Sequence, residues 1–199
     1  VNPPSDHRSG PRRRGDALVA AILEAALAEL AEVGYAQVTM DAVARRAGAS
    51  KASLYRRWPS RAALVVDAVY RVAPDPEHPP DTGALRTDLL EMLRQAAAVL
   101  QGPAGEALRG IIAESRDDAD RTREIRARSQ GRNRRLVTEL VRRAVDRGEV
   151  AASALAPARL DVPAALLRHH FLLGDQALDD ALFVDLVDEV LLPLLRAPG

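Results

Sequence analysis

Residues 39–64, TMDAVARRAGASKASLYRRWPSRAAL, restrict the fold more than any other part of the chain. They hold three helix starts and two helix stops in a short span. Thr39 precedes an apolar-periodic run and can cap a helix with its side-chain oxygen. Met40, Val43, Ala44 and Ala47 recur at three- and four-residue spacing, which gives that helix one apolar face. Gly48 follows where a left-handed turn residue is needed, and without a Cβ it adopts that conformation freely. Ser50 can cap a second helix over 51–57, Pro59 stops it, and Ser60 caps a third. Two short helices joined by a tight turn, with a third behind them, outline a helix-turn-helix, whose second helix enters the major groove of DNA.

The second helix carries side chains suited to that task. Leu54 is its apolar residue and should face the core, while Lys51, Ser53 and Arg56 should face outward. Lysine and arginine donate to guanine edges, and a serine hydroxyl donates and accepts. Ala52 is small enough to let the backbone approach the groove, Tyr55 offers a hydroxyl to a phosphate, and Arg61 is expected to reach another. With the capping residues Thr39 and Ser50, these form the candidate DNA-facing set. An ordinary helical hairpin with a solvated basic face is the bland alternative; the full constellation argues against it.

Taken in order, Glu32-Val33-Gly34-Tyr35, Val38-Thr39-Met40-Asp41-Ala42-Val43-Ala44, Ala47-Gly48-Ala49-Ser50 and Leu54-Tyr55-Arg56-Arg57-Trp58-Pro59-Ser60-Arg61 resemble the N-terminal domain of the TetR family of bacterial transcription regulators. The resemblance covers about residues 16–72. It implies an all-α protein: an N-terminal three-helix helix-turn-helix DNA-binding domain and a C-terminal helical domain for ligand binding and dimerisation.

Charge distribution supports the DNA-binding reading although the net charge is zero. Residues 1–72 hold 11 Lys+Arg against 7 Asp+Glu, and the remainder holds 17 against 21, so the basic half is the one with the helix-turn-helix. The absence of cysteine removes disulfides, thiolate metal sites and thiol nucleophiles. No apolar run reaches the eighteen or so residues of a membrane span and no signal peptide is evident, so a soluble, cytoplasmic chain is expected, with no membrane partner.

Residues 1–15, rich in proline and glycine, read as a disordered basic arm. Arg12, Arg13 and Arg14 at its end could neutralise phosphates or enter the minor groove; the alternative is a solubilising tail. Asp16 to Val33 carries an amphipathic stripe and reads as the scaffold helix, ended by Gly34. Trp58 should fill the junction behind the DNA-binding helices. Residues 16–72 thus form the first domain with its connector helix, and Pro74, Pro76, Pro79 and Pro80 break the pattern before a second, helical domain over 81–199.

In that second part, Leu85 to Leu100 marks one helix, Ala107 to Ile112 a shorter one, and a charged segment from Arg116 continues as a long helix to Gly148. Its basic residues are offset by Asp117, Asp118, Asp120 and Glu124, so a salt-bridged exposed helix is expected there. Two last helices span roughly 157–173 and 180–195. Their apolar stripe, with Leu167, Phe171, Phe183, Leu186, Val187, Val190, Leu191 and Leu194, needs a partner, either the chain's own core or a second copy. The resemblance implies a four-helix homodimer interface, and two-fold pairing doubles the DNA site. Pro163 is expected near a helix start, and Pro193 to fray or kink the helix end.

The resemblance further implies an unidentified small-molecule effector among the C-terminal helices. Met92, Gln95, Leu108, Ile112, Glu114 and His169 are the candidate contacts. No catalytic residue, cofactor or metal site is expected. His169 and His170 point about 100° apart on a helix, and no H-x-x-x-H, G-x-S-x-G or phosphate-binding glycine loop occurs. The expected function is therefore a TetR-like regulator, most simply a repressor, bound as a homodimer to a pseudo-palindromic double-stranded operator and released by the effector. An effector-independent regulator or activator, a helical protein-interaction module, and an enzyme without a recognisable motif are the alternatives.

Overall fold

A computed structural model of the chain describes residues 15–114, 119–174 and 177–198. The arm with Arg12, Arg13 and Arg14 lies outside the described residues, as does Arg116–Asp118 at the start of the charged segment. Among the described residues ten α-helices follow in order and no strand occurs. None of the described helices is long and apolar enough to cross a membrane.

Helix α1 (Asp16–Val33) is the scaffold of the first half. Its alanines 21, 25 and 26 are buried with Ile22, Leu23 and Leu30, and these small side chains let α2 (Met40–Ala47) and α4 (Arg61–Val72) pack closely. A 3₁₀ turn (Tyr35–Gln37) joins α1 to α2, and the five-residue α3 (Lys51–Tyr55) follows α2. Trp58 is buried in this core, as expected, and its indole N–H donates to Asp67 at 2.8 Å, so its one polar atom is satisfied. Glu29 is buried as well; Arg46 neutralises it at 2.7 Å.

The second half comprises α5 (Leu85–Leu100), α6 (Pro103–Glu114), α7 (Ala119–Asp146) and α8 (Pro157–Leu173). Then come α9 (Asp180–Asp185), a π-helical turn (Leu186–Leu191) and α10 (Leu192–Arg196). Ala104, Ala107 and Ile111 of α6 belong to the first core, so α6 binds the two halves together. The loop before α5 is pinned by Asp88, fully buried, which accepts from the Thr82 N–H at 2.6 Å and from Arg147 at 3.2 Å.

Phe183, Leu186, Val187 and Leu191, expected at an interface between copies, lie in the chain's own second core, packed with α5 and α8. Periodicity shows that a face is buried, not what covers it. Leu167 and Phe171 are buried as well, and of the expected interface residues only Val190 and, in part, Leu194 face outward. Pro163 sits in the second turn of α8, buried, where its missing N–H leaves the Arg159 carbonyl without its helical donor. Pro193, expected to fray or kink the helix end, sits in the first turn of α10 behind a π turn, and the helix continues past it to Arg196. The π turn closes just before it, with the Leu192 N–H donating to the Val187 carbonyl, and the wider turn relieves the crowding a proline ring imposes four residues back.

Candidate functional site

The helix-turn-helix is built as its punctuation requires. Thr39 Oγ1 accepts the Ala42 N–H at 3.1 Å and starts α2. Gly48 adopts φ 64°, ψ 31°, and its N–H returns to the carbonyls of Ala44 and Arg45. Ser50 Oγ accepts the Ser53 N–H at 3.2 Å and shares a hydrogen bond with Ser53 Oγ at 2.9 Å. Ser60 Oγ accepts the Ala63 N–H and starts α4. Leu54 is wholly buried, which fixes the roll of α3 and turns Lys51, Ala52, Tyr55 and the following Arg56 to solvent, with Ser53 half-buried. Arg45 and Arg57, which the motif alone did not single out, are exposed beside them and hold no ion pair among the described residues.

Lys51 is not idle. Its Nζ lies 2.9 Å from Asp41 Oδ1 and 5.9 Å from the Tyr55 ring centre. The hydrogen bond it donates to Asp41, and then the charge of that carboxylate, hold the ammonium pKa above the usual lysine value. The first cation of α3 is thus tethered to the first turn of α2.

Arg61 departs from its expected role as a phosphate contact. Its Nη1 donates to the carbonyls of Tyr35, Ala36 and Val38 at 3.2, 3.1 and 3.4 Å, and its guanidinium lies 4.3 Å from the Tyr35 ring centre. Its Nη2 donates to Glu114 Oε1 at 2.5 Å, and the Tyr35 hydroxyl donates to Glu114 Oε2 at 2.8 Å. Burial, then the bond to the Glu114 carboxylate, push the Tyr35 hydroxyl up to about 12 against the opposing charge of Arg61.

A cavity of about 200 Å³ opens between α4, α5, α6, α7 and α8. Val69 and Tyr70 of α4 form one wall, Met92, Leu93 and Ala96 of α5 another, and Leu108, Ile111 and Ile112 of α6 a third. From α7 and α8 come Leu136, Val137, Leu167 and Phe171, with Asn133 and Arg168 as polar members. Of the expected effector contacts, Met92, Leu108 and Ile112 line the cavity. Gln95 instead faces solvent and donates to Glu91 at 2.9 Å, one turn back. Glu114 is engaged by Tyr35 and Arg61. His169 is exposed and meets His170 edge-on at 5.3 Å. All three sit on the expected helices but on faces that turn away from the cavity. Tyr70, Asn133 and Arg168 were missed because nothing in their local pattern marks the side of the helix that a cavity will occupy.

A glycine-turned helix pair with an exposed cationic second helix, joined to an all-helical body, defines a helix-turn-helix DNA-binding regulator. The profile described as "Bacterial regulatory proteins, tetR family" matches residues 22–68, and that described as "Tetracyclin repressor-like, C-terminal domain" matches residues 79–190. The chain belongs to the TetR family of bacterial transcription regulators, which are not enzymes. It is 35% identical over 187 residues to the DNA-binding transcriptional repressor TetR of Mycobacteroides abscessus, covering 94% of this chain and 97% of that protein. It is 32% identical over 179 residues to the HTH-type transcriptional regulator Rv1556 of Mycobacterium tuberculosis, covering 89% and 88%. Among solved structures, the TetR family transcription regulator SCO0332 superposes with a TM-score of 0.75 at 33% identity, covering 87% of this chain and 96% of that one. Members of the family bind DNA and small-molecule ligands and act as dimers.

Proposed function

We propose that the protein is a repressor that binds a pseudo-palindromic operator as a homodimer in the cytoplasm and leaves it when a small molecule fills the cavity. The observation that carries this reading is that α4 serves both sites. Its first turn abuts the helix-turn-helix through Ser60 and Arg61, and its later residues Val69 and Tyr70 wall the cavity. A ligand that moved this helix would move the DNA-reading head. Recognition faces of a dimer must sit ~34–36 Å apart to occupy successive major grooves, so a shift of a few ångströms weakens binding. The effector acts only through its differential affinity for the two spacings. Dimerisation is assigned to the outward side of the last helices, where Leu173, Val190 and Leu194 retain exposed surface. Lys51, Ala52, Ser53, Tyr55 and Arg56 are the proposed DNA contacts.

The test is selection of duplexes from a random pool by the purified protein, followed by salt titration of the winners. A two-fold symmetric site, a steep salt slope and loss of binding in Lys51→Ala are expected. Enrichment of no sequence, with weak salt-sensitive binding alone, would overturn the operator reading.

A further inference from the structure

We infer that the cavity takes an amphiphilic organic anion, an apolar body of about eight non-hydrogen atoms ending in one carboxylate-like head held at Arg168 and Asn133. This deepens, and rests on, the reading of the cavity as the effector site. Size comes first. A cavity of ~150 Å³ holds benzene, and this one, at about 200 Å³, is a third larger. The walls supplied by α4, α5 and α6 are almost wholly aliphatic, so the bulk of the ligand must be apolar.

Charge then decides the head group. Among the described residues no carboxylate lines the cavity, so an ammonium would enter it without a counter-charge. Arg168, an exposed lining residue on α8, supplies the opposite sign. Asp161, whose carboxyl feels the charge of Arg168, is already gripped by Arg134 Nε and Nη2 at 2.9 and 2.5 Å. Among the described residues Arg168 makes no hydrogen bond, and neither does the Asn133 amide, which is half-buried in the same wall. Two unengaged polar groups on an otherwise apolar wall match a ligand with one anionic, hydrogen-bond-accepting end.

Calorimetric titration of the full chain with octanoate, octan-1-ol and octylammonium tests this. Octanoate should bind about fivefold more tightly than octan-1-ol, the advantage that a partly solvated ion pair gives, and octylammonium should bind least. Arg168→Gln should bring octanoate to the level of octan-1-ol while leaving octan-1-ol unchanged. Leu108→Trp should abolish binding of all three. Should that variant unfold, Ala96→Leu is the milder filling of the same space and should weaken all three. Octylammonium binding as well as octanoate, an octanoate preference that survives Arg168→Gln, or no binding of any probe would overturn the inference. A separate titration of the operator complex with octanoate isolates the regulatory reading. Binding without operator release keeps this ligand class and overturns the effector role, whereas operator recognition stands whichever probe binds.

Discussion

Arg61 Nη2 lies 2.5 Å from Glu114 Oε1, so the first residue of α4 is bonded to the last residue of α6. The same guanidinium holds the carbonyls of Tyr35, Ala36 and Val38, just ahead of the first DNA-binding helix. Helix α6 also walls the cavity with Leu108, Ile111 and Ile112. The cavity therefore meets the DNA-binding head along two helices, with Arg61 where they converge.

If the pair carries energy across that junction, Arg61→Ala and Glu114→Ala will not be additive. Their side chains are 28% and 40% exposed, so solvent screening limits the coupling to about 1 kcal/mol or less. Glu114→Ala alone also releases the Tyr35 hydroxyl and should lower Tm by about 2–4 °C. A double-mutant cycle by denaturant unfolding measures the coupling, and strict additivity would show the contact to be idle.

Tyr35 gives the junction a pH signature. Its hydroxyl, ordinarily near 10, is pushed up to about 12 in the folded chain, by burial first and then by the bond to Glu114. The unfolded chain therefore loses this proton earlier as pH rises. The stability it contributes is complete below about pH 10 and is lost between about 10 and 12. Unfolding midpoints across that range should fall more steeply in the wild type than in Tyr35→Phe, and parallel curves would contradict the assignment.

The frame was legible because its signals are local. Thr39, Gly48, Ser50 and Ser60 act within four residues of themselves, and each does in the fold what its chemistry dictates. Arg61 was misread because its partners are distant in sequence: carbonyls at and just after the 3₁₀ turn and a glutamate on α6. Gln95 and His169 were placed on the right helices but on the wrong faces, since a mixed face carries no mark of a cavity. The stripe from Phe183 to Leu191 looked unpartnered for the same reason, and α5 and α8 cover it.

Two glycines in helices should respond oppositely to alanine. A Cβ on Gly105 would stand 1.8 Å from the Leu100 carbonyl oxygen, which is backbone and cannot swing away, so Gly105→Ala should cost about 1–3 kcal/mol. Gly131, exposed on α7, has open space there, and Gly131→Ala should stabilise by up to about 1 kcal/mol. Thermal melts of the two variants should bracket the wild type, and a stabilised Gly105→Ala would contradict the close packing between α5 and α6.

Asp41 restrains Lys51, the first of the proposed DNA contacts on the recognition helix. Lys51 Nζ reaches Asp41 Oδ1 at 2.9 Å, both side chains being more than half exposed, so the pair is worth little to folding. At a DNA surface the balance changes. In the proposed complex Lys51 would exchange Asp41 for a base edge or phosphate, and the carboxylate left behind would face the polyanion. Asp41→Asn removes that repulsion and frees the ammonium. It also gives up one favourable charge in the first turn of α2, a loss of about 0.3–1 kcal/mol of stability. Duplex affinity should therefore rise two- to fivefold on operator and random DNA alike, because the gain is electrostatic and carries no base information. Lys51→Ala should remove most of that gain in the double variant. Affinity that falls in Asp41→Asn would mean that the carboxylate positions Lys51 for its contact, and the restraint would then be part of recognition itself.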